Sequence, residues 1–290
     1  MLVLALMWGL SIPVTKLGLV TVPPLTLTAM RFAVAVPLLF LFTLGQPRLR
    51  LRALPHAAAL GVLGIGVGQV AQAFGIAGTA ASVGTIISAT IPVFVVVFAA
   101  RRLRQPVSGR QQLGLLAAFA GIALVAFGHG QDGGTILAST VSGAAWMLLS
   151  ALAIAFYYVW SVELTEAYGT APVAAWSTLF GFLALLPWAG WELWQVPIHI
   201  TAQAVGVAVY LGVMVSVAGL FLWLHVLRTV PAPVAAGVQY LQPVFGIAAA
   251  SLMFGDRLGL LFAAGVVLIL GGLTIAVAGS RKAEEAVPHE

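Results

Sequence analysis

The sequence predicts an all-α integral membrane protein of ten transmembrane helices, arranged as two inverted five-helix repeats with both termini cytoplasmic. Three observations carry this expectation: the apolar balance of the chain, the spacing of its polar breaks, and a segment that returns later without its charges. The 290 residues are 61% hydrophobic and 7% charged, with a mean hydropathy of +1.09. Soluble domains carry roughly 25% charged and about 45–50% apolar residues. A water-soluble globule of this length has no interior for such a surplus, so lipid must supply part of the solvent. The chain has no cysteine, which removes disulfides and thiolate metal sites. Its formal charge of +5 does not indicate nucleic acid, because stretches of hydrocarbon separate the basic residues.

A helix crosses a bilayer in about 20 apolar residues. Runs of that kind lie at 2–19, 25–43, 56–75, 79–99, 112–128, 140–162, 172–190, 203–226, 233–253 and 260–279. They are called here the first to tenth spans. The first lacks a basic leader and a small-residue cleavage site, so it reads as a helix and not as a removable signal. Polar breaks such as "GQPRLRLRALP", "RRLRQPVSGR", "GHGQDGG" and "FGDRLG" separate the spans. The break "GIAGTAAS" is the least polar, but without it the third and fourth spans would form one helix far longer than a bilayer. The polar tail "RKAEEAVPHE" reads as disordered. Alternate loops and the tail hold ten basic residues, Arg48 to Lys282, whereas the opposite loops hold only Arg257. Cytoplasmic loops collect Lys and Arg, which sets the orientation.

The fourth span contains "IPVFVVVFAARRLR" (91–104) and the ninth contains "QPVFGIAAASLMFG" (242–255). An offset of 151 places Pro92, Val93 and Phe94 on Pro243, Val244 and Phe245, and Gly114, Gly121 and Gly128 on Gly265, Gly272 and Gly279. An offset of 148 places Pro24 and Phe32 on Pro172 and Phe180. Five helices per half force the second copy to enter the membrane upside down. The loop after Pro92 is then cytoplasmic and keeps its arginines, and the loop after Pro243 is external and loses them. The expected units are 1–130, 131–280 and a cytoplasmic tail, 281–290. Such repeats recur in secondary transporters, with solute held where the halves meet.

The segments "LMWGLSIPVTKLGL", "PPLTLTAMRF", "IPVF" and "RTVPAPVAAGVQYLQPVF…FGDRLGLLFAAGVVLILGG" together resemble the drug/metabolite transporter superfamily, in its EamA-type ten-helix branch. The resemblance runs the length of the chain. Asp256 stands where the family's pattern has "GE", a mild departure. The resemblance implies a multi-pass permease of the cell inner membrane working by alternating access. Within the branch the nearest likeness is the YddG kind of amino-acid exporter.

Lys16 and Arg31 are the ionisable residues inside spans, where a charge costs about 2.5–3.5 kcal/mol on insertion scales. Two readings stand: snorkelling to external headgroups, or facing a cavity and attracting a carboxylate. Arg31 falls on Leu179 in the other half, an asymmetry that favours function for Arg31. The acidic residues, among them Glu163, Glu192 and Asp256, all fall in loops, tails or helix ends, so no mid-span carboxylate offers a site for a cationic drug. Glu163, at the inner end of the sixth span, reads as solvated, with proton work as the alternative. Pro92 and Pro243 are expected to bend their helices, each removing a backbone donor. Near these kinks Ser88, Gln239, Tyr240 and Gln242, with Gln69 and Gln72 on the third span, pair with one another or contact solute, since an amide in lipid needs a polar partner. Trp8 and Trp223 lie too deep for the aromatic belts, to which Trp176, Trp188, Trp191 and Trp194 are assigned. Gly61, Gly64 and Gly68 allow close helix approach. The expected substrate-binding set is Trp8, Arg31, Gln72, Ser88, Trp223, Gln239, Tyr240 and Gln242. No metal spacing, nucleotide loop or nucleophile motif is present, so neither cofactor nor catalysis is expected. The expected partners are a small-molecule solute and the lipid bilayer, with no nucleic acid and a monomer as the default. The leading expectation is export of amino acids or similar zwitterionic metabolites. The alternatives are a carrier of nucleotide sugars, drugs or purines, and a membrane enzyme or scaffold.

Overall fold

The computed structural model describes residues 2–102, 109–128, 134–196, 198–229, 232–256 and 259–284. Among them every one of the ten spans is helical and no strand occurs. That follows from lipid as solvent, because a helix satisfies its own backbone groups where water cannot. Among the described residues six helices are long and apolar enough to cross a membrane: Pro24–Leu41, Leu51–Gly78, Ala81–Ala99, Val141–Trp160, Thr170–Gln195 and Ala202–Trp223. Leu2–Gly18, Leu241–Phe254 and Leu260–Gly272 are shorter apolar helices. The fifth span is helical over Gly109–Gly128.

Glycine sets how closely these helices pack. Where the fifth and tenth spans meet, a Cβ on Gly121 would lie 2.7 Å from the Gly265 carbonyl oxygen and 2.7 Å from Ile269. A Cβ on Gly272 would overlap the Gly114 carbonyl and sit 2.9 Å from the Ala118 amide nitrogen. The contact is reciprocal and antiparallel. The third span meets the sixth and seventh through its glycines: Gly61 lies against Ser177, Gly64 against Tyr157 and Gly68 against Ile154. The second span packs on the seventh through Phe32, Leu185 and Ala189, with Phe32 edge-on to Phe182 at 6.4 Å. The first span rests on the ninth, where a Cβ on Gly9 would lie 2.7 Å from the Gln242 carbonyl oxygen.

Several spans are not plain α-helix. Leu60–Gly66 in the third and Tyr210–Ala218 in the eighth are π-helical. The first span breaks at Leu10 between Leu2–Gly9 and Ser11–Gly18. In the fourth, the span Ala81–Ala99 is interrupted at residues 89–90, between helix Ala81–Ser88 and helix Ile91–Arg102, just before Pro92. Proline tolerates that position because the first turn's N–H groups lack partners anyway. Pro243, by contrast, lies inside the continuous helix Ala232–Phe254. The tail also departs from expectation: the last helix runs on to Glu284, so residues 281–284 continue the tenth span's backbone. Trp176 differs from the other three tryptophans assigned to the belts in its packing. It is half-buried, edge-on to Phe40 at 5.4 Å and beside Phe180, whereas Trp188, Trp191 and Trp194 are 64, 56 and 88% exposed.

Candidate functional site

The first, second, third and eighth spans cross around Arg31. The side chain is 9% exposed, held by neutral partners: Nε donates to Ser216 Oγ at 3.0 Å and Nη1 donates to Gln69 Oε1 at 2.6 Å. Beside it is a cleft lined by Thr15, Leu27, Thr28, Gln69, Gln72, Ala73 and Leu211, with room for about one water molecule. The ion pair Arg102–Glu163 does not involve Arg31.

The π-helical segment of the eighth span makes two of these contacts possible. A π turn pairs each N–H one residue further back than an α turn does. Here the Gly219 N–H reaches the Met214 carbonyl, where an α-helix would use that of Val215. Trp8 Nε1 donates to the Val215 carbonyl at 3.3 Å. Gly219 is required at this spot, since a Cβ there would overlap the indole nitrogen. The Ser216 hydroxyl donates to the Leu211 carbonyl at 3.0 Å, five residues back, and so presents its oxygen to Arg31.

Trp8 and Trp223 come together, ring centroids 5.8 Å apart, in an apolar group with Leu4, Leu241 and Phe245. This group and the Arg31 cleft meet through the adjacent residues Val215 and Ser216. Gln242 is half-buried against the first span and Ser88 is buried on the fourth, and neither lines the Arg31 cleft. The side chains of Gln239, Tyr240 and Pro92 lie outside the described residues. Among the described residues the polar crossing lies on the first, second, third and eighth spans, with the tryptophan pair beside it. Thr15, Thr28 and Ser216 carried no signal, because an isolated hydroxyl in an apolar run has many uses.

Three charged residues tie one end of the bundle. Glu192 is 9% exposed at the end of the seventh span, where Oε2 accepts from the Thr26 N–H at 2.7 Å and the Thr26 hydroxyl at 2.8 Å, and Oε1 from the Leu25 N–H at 3.4 Å. It thus caps the start of Pro24–Leu41, where orphan amides and the helix dipole favour an anion. Asp256 Oδ2 accepts from the Ser82 N–H at 2.9 Å and hydroxyl at 2.7 Å, at the start of the fourth span. Lys16 corrects the snorkelling expectation: its ammonium donates to the carbonyls of Ile76 and Thr79, where the third span ends and a cation is favoured. Toward the other end of the fourth span Arg102 pairs with Glu163 and lies 5.3 Å over the Trp160 ring, so Glu163 is exposed but not merely solvated.

Comparison with known proteins adds the family. The sequence pattern of the EamA-like transporter family matches in two stretches, residues 1–127 and 141–278. An "Uncharacterized transporter" of Archaeoglobus fulgidus is 24% identical over 270 residues, 93% of this chain and 94% of that one. A "Probable terminal-alkyne amino-acid exporter" of Streptantibioticus cattleyicolor is 26% identical over 260 residues, 86% of this chain and 82% of the relative. The "Uncharacterized inner membrane transporter YedA" of Escherichia coli is 26% identical over 263 residues, covering 88% and 82%. A solved crystal structure shares the fold at a TM-score of 0.66 over 98% of this chain and 96% of that one, with 18% identity. This multi-pass membrane protein belongs to the EamA-like transporter family, a family of transporters and not of enzymes.

Proposed function

We propose that the chain is an inner-membrane secondary transporter that exports amino acids or similar small zwitterionic metabolites by alternating access. The observation that carries this reading is Arg31: a buried cation at a helix crossing, held only by neutral partners and facing a polar cleft. A charge placed inside lipid marks a solute path more often than a structural need. Amino acids as the solute draw support from the relative named an amino-acid exporter. The inner membrane draws support from the relative named an inner membrane transporter.

Ten crossings in two inverted halves make the moving parts. The family pattern falls on the chain in two stretches of similar length. The Gly121–Gly265 and Gly272–Gly114 contacts exchange positions related by the offset of 151, as a two-fold axis demands. Residues 60–66 map to 211–217 at that offset, so the two π-helical segments occupy matching places. In this topology Glu192, Asp256 and Lys16 lie at the external end, where they fasten helices of one half to the other or to the third-to-fourth turn. Alternating access would release these ties when the external side opens.

Proteoliposomes holding the full chain, loaded with labelled threonine, methionine or phenylalanine, should release at least one of them faster than protein-free vesicles. Equal rates for every amino acid tried would reject the substrate assignment.

A further inference from the structure

Arg31 has five N–H donors. Two are used, by Ser216 and Gln69, which leaves one on Nη1 and both on Nη2 without a described acceptor. The remaining polar neighbours are Thr15, Thr28 and Gln72, all neutral. Three carboxylates are engaged away from Arg31: Glu192 on Leu25 and Thr26, Asp256 on Ser82, Glu163 on Arg102. A guanidinium in these surroundings gains most from a carboxylate, whose two oxygens match its donor fork. An ammonium finds nothing comparable, since no acidic side chain lines the cleft and the nearest fixed charge repels it.

We infer that Arg31, with Gln69 and Ser216 as its positioning residues, is a carboxylate subsite that reads the anionic end of the solute and leaves its ammonium unread. This rests on the reading that the cleft lies on the solute path, and it narrows that reading. Recognition is of the monocarboxylate, so acids without an amine bind alongside amino acids. A zwitterion leaves the buried site with Arg31's net charge, whereas a monoanion neutralises it, so the amine-free acid binds at least as well. The cleft in this conformation holds about one water molecule, so the body of the solute needs more space than this conformation offers.

The test compares three probes of one shape on the full chain in detergent. Phenylalanine carries both charged groups, 3-phenylpropionate only the carboxylate and phenylalaninamide only the ammonium. Methionine, 4-(methylthio)butanoate and methioninamide form a second set. Ligand binding to the folded state raises the melting temperature by mass action. The carboxylate-only probe should stabilise the protein as much as or more than its amino acid, and the amide should not. Arg31→Gln should weaken carboxylate binding about 10- to 100-fold, the loss of a charge-assisted pair, and Arg31→Lys should restore part of it. If Arg31→Gln proves too unstable, Ser216→Ala and Gln69→Leu provide the second arm, each weakening binding of both carboxylate probes and never of one alone. Stabilisation by the amide but not by the amine-free acid overturns the subsite, and so does full carboxylate binding by Arg31→Gln. Stabilisation by amine-free acids alone supports the subsite while rejecting amino acids as the cargo. Stabilisation by none of the six overturns the subsite, and the vesicle release assay then decides the broader function separately.

Discussion

Glu192, Asp256 and Lys16 are charged residues whose partners lie far away in sequence, and each sits on a helix end of matching polarity. Glu192→Ala leaves the Leu25 and Thr26 amides without their anion. It should lower stability by about 1–3 kcal/mol, the usual loss for buried hydrogen bonds to a charged group, read as an earlier melting transition in detergent. Glu192→Gln keeps an acceptor and should lose less. Equal melting of wild type and Glu192→Ala would show that the cap contributes nothing. Trp8→Phe removes the donor to Val215 and shrinks the ring packed against Trp223, so a loss of about 1–3 kcal/mol is expected, checked by the same scan. At this scale the sequence is readable where burial alone carries meaning. Arg31 announced itself because a cation at that depth is costly in any fold. Ser216 could not, since its role comes from a π turn and an arginine on another helix.

At the scale of elements, glycine contacts decide which helices can touch. Gly272→Ala pushes a methyl group into the Gly114 backbone, which cannot swing aside, and should cost about 1–3 kcal/mol. Gly259→Ala, where nothing lies within 4 Å, serves as the control and should melt within about 0.5 kcal/mol of wild type. Matching losses at both positions would remove the packing account. Helix existence was legible throughout, because twenty apolar residues in lipid have no other economical structure. The π-helical segments, the break at Leu10 and the helix restart at Ile91 were not legible. They answer contacts from neighbouring spans, as Gly219 makes room for Trp8. The polar tail looked like a disordered end, yet helical backbone persists to Glu284, since a helix already held by packing extends readily beyond its anchored part.

For the whole molecule, the inverted arrangement is a proposal that draws on the loop charges and on one helix contact. The offset of 151 came from a few matching prolines and glycines, weak evidence in an apolar chain. The reciprocal contacts between the fifth and tenth spans give the same pairing a spatial form. The candidate site was legible only in part: Arg31 and Gln72 share the cleft and Trp8 touches Trp223, while Gln242 and Ser88 lie elsewhere. The sequence marks which residues are costly in lipid but not which of them meet. The most direct measurement uses the absence of native cysteine. Single cysteines at exposed Arg101 and exposed Gly259, treated with a membrane-impermeant maleimide in intact cells and in inside-out vesicles, report the side of each loop. Two inverted halves require Gly259→Cys to react only in intact cells and Arg101→Cys only in inside-out vesicles. Reaction of both from one side would contradict the inverted arrangement on which the transport mechanism depends.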